Sequence, residues 1–133
     1  MLIVEYMIQR LVCEVCGNIV EYVVENNPVI ECCGQQMKEL VANTDDSASR
    51  EKHVPVFKKE NEFLMVWVGE TAHPSTKEHY IEWIEVVTDS GVYLKRLLPE
   101  QRPVAIFRLD IDENVKEVVA YCNIHGLWSN VVK

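Results

Sequence analysis

The stretch CEVCGNIVEYVVENNPVIECCG, residues 13–34, holds four of the five cysteines of the chain. Cys13 and Cys16 have the spacing in which two thiolates turn back onto one tetrahedral ion, with Gly17 relieving the tight turn. Cys32 and Cys33 are adjacent, so the second half cannot repeat the geometry of the first and is expected to distort the tetrahedron. The apolar runs Ile19 to Val24 and Pro28 to Ile30 are too short for a self-sufficient core, and a metal is the staple such a segment needs. An odd number of cysteines with a vicinal pair speaks against a disulfide framework. Four thiolates suit zinc as well as iron.

Working outward, residues 43–52, NTDDSASREK, are polar and read as a linker. Beyond them lie six strand candidates rich in Val, Ile, Trp and Tyr: His53 to Lys58, Phe63 to Gly69, Tyr80 to Thr88, Val92 to Leu97, Val104 to Leu109 and Val115 to Cys122. Turn signals such as Asp89-Ser90-Gly91 separate them, which predicts an antiparallel sandwich or barrel. Pro74 to Glu78 is expected to form a single helical turn, since Pro suits the first helical position. The chain is therefore read as mainly β, with a small metal-binding domain over residues 1–42 and a β-sandwich over residues 43–133, of which 43–52 form linker and loop.

At 133 residues and 48% hydrophobic, the chain can bury a real core. Its formal charge of −8 disfavours nucleic acid and anionic membrane surfaces as partners, and a small anionic substrate needs local positive charge. The opening MLIVEYMIQRLV has no basic flank and no run of 18 apolar residues occurs, so a cytoplasmic location is expected.

The four histidines, at 53, 73, 79 and 125, all lie beyond residue 52. His125 follows Cys122 by three residues, with Gly126 permitting the turn, a spacing that can place thiolate and imidazole on one ion. His73 and His79 flank the Pro74 to Glu78 segment. Four imidazoles and one thiolate are a borderline ligand set that suits iron better than calcium or magnesium. Every Cys and His is then used once, in two separate sites.

At these residues the sequence resembles the desulfoferrodoxins, the two-iron class of superoxide reductases. The likeness runs through Cys13 to Glu21, Cys32-Cys33-Gly34-Gln35-Gln36-Met37, Glu51-Lys52-His53-Val54-Pro55-Val56, His73-Pro74, His79 to Glu85 and Tyr121 to Trp128. It implies a desulforedoxin-like domain with iron held by Cys13, Cys16, Cys32 and Cys33, followed by an immunoglobulin-like antiparallel β-sandwich. There, His53, His73, His79 and His125 would be equatorial ligands and Cys122 the axial thiolate of a catalytic iron. Glu51 and Lys52 match a mobile pair beside that iron's open face, Lys52 attracting superoxide and Glu51 closing on ferric iron. Also implied are one-electron reduction of superoxide to hydrogen peroxide, an accessory role for the first iron, an electron donor such as rubredoxin, and a homodimer. Ser75 departs from the family pattern, where Met is common after His73-Pro74. The rival readings are a non-catalytic zinc-ribbon and sandwich module, and a rubredoxin-like electron carrier.

Overall fold

The computed structural model describes residues 8–26, 29–47, 52–69 and 73–132. The chain divides into two compact units between Val41 and Ala42. The described residues are all strand, turn and loop, with no helix long and apolar enough to cross a membrane.

The first unit contains β1 (Arg10–Val12), β2 (Ile19–Glu21), β3 (Glu31–Cys32), β4 (Gln35–Gln36) and β5 (Lys38–Glu39). β1 lies between β2 and β5, antiparallel to both, and β3 pairs with β4 as a separate ribbon. Arg10 faces Glu21 across the first pair, their side chains 2.8 Å apart. Among the described residues the buried core is Leu11, Cys13 and Met37, against which Val20, Tyr22, Ile30 and Cys32 pack.

The ribbon explains the vicinal cysteines. Glu31 pairs with Gln36 and Cys32 with Gln35, which leaves Cys33-Gly34 as a two-residue turn. Both turn residues have positive φ, 55° and 74°, the conformation of the hairpin turn whose twist matches its strands. Cys32 is thus the last residue of a strand and Cys33 the first of a reversal, so adjacent thiols approach one point without stretching the tetrahedron. The expected distortion is absorbed by the backbone, at the cost of a non-glycine residue in the left-handed region.

The described residues of the second unit form a seven-stranded antiparallel sandwich. One sheet has three strands, β10 (Val104–Arg108), β7 (Phe63–Val68) and β6 (Pro55–Glu60); the other has four, β12 (Gly126–Val131), β11 (Val115–Cys122), β8 (Ile81–Thr88) and β9 (Val92–Arg96). Three plus four strands is the immunoglobulin-like count. Alternation drives it: in β7 Leu64, Val66 and Val68 point inward while Phe63 and Met65 face solvent. Those side chains meet Ile84, Val86, Ala105, Phe107, Val118, Ala120 and Cys122 in one continuous core.

Two sequence expectations change. Pro74 to Glu78 forms no helical turn; instead the Thr76 and His79 backbones bond reciprocally, Thr76 N to His79 O at 2.9 Å and His79 N to Thr76 O at 3.3 Å. A seventh strand, β12, also appears beside β11. Its residues Ser129 and Asn130 dilute the apolar pattern, and its start falls within the cysteine–histidine motif.

Candidate metal centres

In the first unit, the Cys13 carbonyl accepts from Gly17 N at 2.8 Å and the Cys13 amide donates to Asn18 O at 2.8 Å, closing the turn that carries Cys16. Gly17 stands at φ 84°, with open space where a Cβ would be, so the requirement for glycine is conformational. The sulfur atoms of Cys13, Cys16, Cys32 and Cys33 all lie within 4.8 Å of one another. Cys16 Sγ is 3.7 Å from Cys32 Sγ, which is 3.9 Å from Cys33 Sγ. A tetrahedral ion with bonds of about 2.3 Å needs sulfur–sulfur edges of about 3.8 Å, which these two separations match.

The thiols differ in proton affinity. The Cys16 amide, 3.5 Å from Cys13 Sγ, holds the Cys13 thiol down at about 6. The neighbouring sulfurs, Cys16 foremost, push Cys33 up to about 12 and raise Cys32 as well. A cation at the centre removes the cause of that rise by taking the sulfur lone pairs.

The second centre gathers loops at one end of the sandwich. His53 sits just before β6, His73 and His79 lie between β7 and β8, Cys122 ends β11, and His125 lies in the loop between β11 and β12. The four imidazoles form a closed circuit. Ring centres are 4.8 Å apart for His53–His73, 4.8 Å for His73–His79, 5.0 Å for His79–His125 and 4.9 Å for His125–His53, each pair edge-on. A square of that side has its centre about 3.5 Å from each ring centre, which matches a metal–nitrogen bond of about 2.1 Å plus the reach across half a ring.

The donor atoms agree. His53 Nε2 and His125 Nδ1 are 3.2 Å apart, near the about 3.0 Å expected for adjacent corners of a square of such bonds. His73 Nδ1 donates to the Pro74 carbonyl at 2.7 Å, the tautomer that leaves Nε2 as the ligand atom. The donor atoms of His53, His79, Cys122 and His125 lie within 4.8 Å of one another, with Cys122 Sγ 3.7 Å from His125 Nδ1. Val118, Ala120 and Cys122 alternate on the inward face of β11, so this sulfur arrives from the core, fully buried.

Local devices hold the donors in place. The hairpin loop Asn123–His125 closes at the Cys122–Gly126 pair, with Gly126 at φ 85°. A bulge on β8 moves the pairing from Tyr121↔Trp83 to Cys122↔Ile81 and re-aims the strand end beside the site. Trp128 stacks on His53 with ring centres 4.6 Å apart and planes 14° apart, and its Nε1 donates to His125 O at 3.1 Å.

A family model described as desulfoferrodoxin matches residues 45–131. The chain belongs to the desulfoferrodoxin family. A desulfoferrodoxin homolog of Archaeoglobus fulgidus is 48% identical over 118 residues, covering 89% of this chain and 92% of its own length. A superoxide reductase of Pyrococcus abyssi is 35% identical over 100 residues, 62% of this chain and 87% of its own. The crystal structure of the superoxide reductase from Treponema pallidum superposes with a TM-score of 0.79 at 28% identity, covering 94% of this chain and 98% of that one. A desulfoferrodoxin with a four-cysteine group and a group of four histidines and one cysteine has places for two iron ions, and both donor sets here fit.

Of the residues the sequence singled out in this desulfoferrodoxin, the four early cysteines form one group and His53, His79, Cys122 and His125 another, while His73 joins the second through its ring contacts with His53 and His79. Lys52 is half-buried, its Nζ donating to Asp46 O at 3.0 Å. Glu51 lies outside the described residues. Ser75, the departure from the family pattern, donates its hydroxyl to the Gln101 carbonyl. Two contributors were missed. Asn123 ties the His79 loop to the Cys122 turn, accepting Tyr80 N at 3.0 Å and donating to Glu78 O at 3.0 Å. Asp46, read as linker, accepts the amides of His53 and Val54. Turn residues such as Asn and Asp commonly bond nearby backbone, but spacing alone does not say which amides they find.

Proposed function

We propose that the protein is a superoxide reductase, an oxidoreductase in which superoxide, one electron and two protons become hydrogen peroxide without release of oxygen. The observation that carries this reading is the closed circuit of four imidazoles with the buried Cys122 sulfur coming from the core. Iron held there supplies the electron and the Lewis acidity for the reaction. In this reading His53, His73, His79, His125 and Cys122 would hold the iron, and the Cys122 thiolate would donate electron density to it. The solvent side, where His125 is exposed, is the face open to substrate.

Lys52, the residue before His53, gives a chain of charge −8 the local cation that draws in an anionic substrate. Glu51 supplies a carboxylate beside it, a role carried by the family likeness. Cys13, Cys16, Cys32 and Cys33 would hold an accessory iron that could store an electron supplied by a rubredoxin-like carrier. A cytoplasmic homodimer is the working form. A structural zinc module does not account for five donors around one point, since structural zinc is four-coordinate.

The test is rapid anaerobic mixing of the fully reduced, ferrous iron-loaded protein with superoxide, with peroxide and oxygen measured together. One peroxide per superoxide and no oxygen is the expected result. Release of oxygen, or no reaction from protein carrying iron in the second centre, overturns the proposal.

A further inference from the structure

We infer that Asp46 is a positioning residue of the second centre, pinning His53 and Lys52 in register with each other; the inference rests on the reading that this centre holds iron. Both Asp46 carboxylate oxygens accept the His53 amide at 2.9 Å, and Oδ2 also accepts the Val54 amide at 2.6 Å. Charge-assisted bonds of this kind are the strong ones. The backbone carbonyl of the same residue accepts Lys52 Nζ at 3.0 Å. One residue therefore holds the backbone from which His53 projects and the ammonium next to it.

The need for such a pin follows from the geometry of His53. Stacking on Trp128 fixes the plane of the ring, but a stacked ring can still slide and turn within its plane. Anchoring the His53 and Val54 amides removes that freedom at its origin. Asp46 Oδ1 also lies 3.7 Å from His53 Nδ1, too long for a direct hydrogen bond but close enough for its charge to favour the tautomer with the proton on that nitrogen. The lone pair then resides on Nε2, the atom that faces His125 Nδ1 across the circuit. A carboxylate behind a ligating imidazole also strengthens the imidazole as a donor. Asp45 makes a useful contrast: its carboxylate is exposed and bonds Ser47 within its own loop, the Ser47 amide donating to Oδ1 at 2.8 Å, and lies near the Lys52 charge without taking the His53 or Val54 amide.

The experiment compares Asp46→Ala, Asp46→Asn and Asp45→Asn in full-length, iron-loaded protein. Second-centre iron is challenged with a ferrous chelator while the absorption of the four-cysteine centre serves as internal reference. Asp46→Ala is expected to weaken second-centre iron binding about 10- to 100-fold, the usual loss when the group behind a ligand is removed. Asp46→Asn, which keeps an acceptor oxygen but not the charge, should fall between and should raise the midpoint potential of the centre, because a lost anion disfavours the ferric state. Asp45→Asn should match the wild type. If Asp46→Ala does not fold, Asp46→Asn decides through its potential and chelator rate. Wild-type iron binding and potential in both Asp46 variants, or an equal effect from Asp45→Asn, overturns the inference and leaves the proposed activity standing. Protein with its second-centre iron in place but no reaction with superoxide overturns the activity and leaves the pin standing.

Discussion

Replacing Gly126 with alanine isolates the conformational demand of the loop that presents His125. At φ 85° an L-residue costs about 1–2 kcal/mol. A Cβ built there meets nothing within 4 Å, so no clash adds to that figure. Alanine also narrows the unfolded ensemble, which returns about 0.4–1 kcal/mol where no strain exists. The net loss is about 1 kcal/mol, or about 4–8 °C in Tm for a domain of this size. The measurement is unusually clean, because Trp67, Trp83 and Trp128 are the only tryptophans and all lie in the second unit. Tryptophan emission, excited selectively over tyrosine, during heating of metal-free protein therefore reports that unit alone. Gly126→Asn is the control: asparagine tolerates the left-handed region, so most of the loss should disappear. A Gly126→Ala protein that melts with the wild type, or an asparagine variant that melts as low as the alanine one, refutes the reasoning.

Three further outcomes are expected. Cys33→Ser should remove the four-cysteine absorption while the second centre keeps its spectrum and its reaction with superoxide; loss of that reaction in folded protein would end the accessory assignment. Lys52→Ala should slow the second-order reaction with superoxide and flatten its dependence on ionic strength, since screening weakens attraction only where attraction exists; stopped-flow rates across a salt series check this. Metal uptake by the first unit should weaken as pH falls from about 9 to about 6, because Cys33, held at about 12, and the raised Cys32 keep protons that the ion must displace, whereas Cys13 at about 6 is already thiolate. Proton release into a weakly buffered indicator on adding metal to apoprotein measures the effect, and pH-independent uptake would contradict it.

The two donor groups were legible in the sequence because chemistry restricts who can serve: thiolate and imidazole are few, and the fold gathers them in two places. The strands from Phe63 to Cys122 were legible because alternation and β-branched residues coincide there. β12 was not, since Ser129 and Asn130 hide an apolar face that Leu127 and Trp128 begin. The Cys32-Cys33 pair looked like a geometric difficulty because spacing carries no φ; a hairpin turn with both φ positive dissolves it. Pro74 looked like a helix start, but the turn at Thr76 and His79 satisfies its backbone locally in three residues, leaving no ladder to propagate. Asp46 reads as solvent-facing polar chain until the fold brings residue 53 back to it.

Among the described residues the buried core of the first unit is Leu11, Met37 and Cys13, and one of these three belongs to the four-cysteine group. Such a unit depends on having a tetrahedral ion far more than on which ion it has. Zinc would close the same cradle with bonds of nearly the same length. Mismetallation there should then be structurally silent: on the proposed function, a chain with zinc in this centre and ferrous iron in the second would fold, keep its sandwich and react once, yet lack the stored electron for a second turnover. Competition between metals during biosynthesis would show itself as a loss of turnovers rather than a loss of protein.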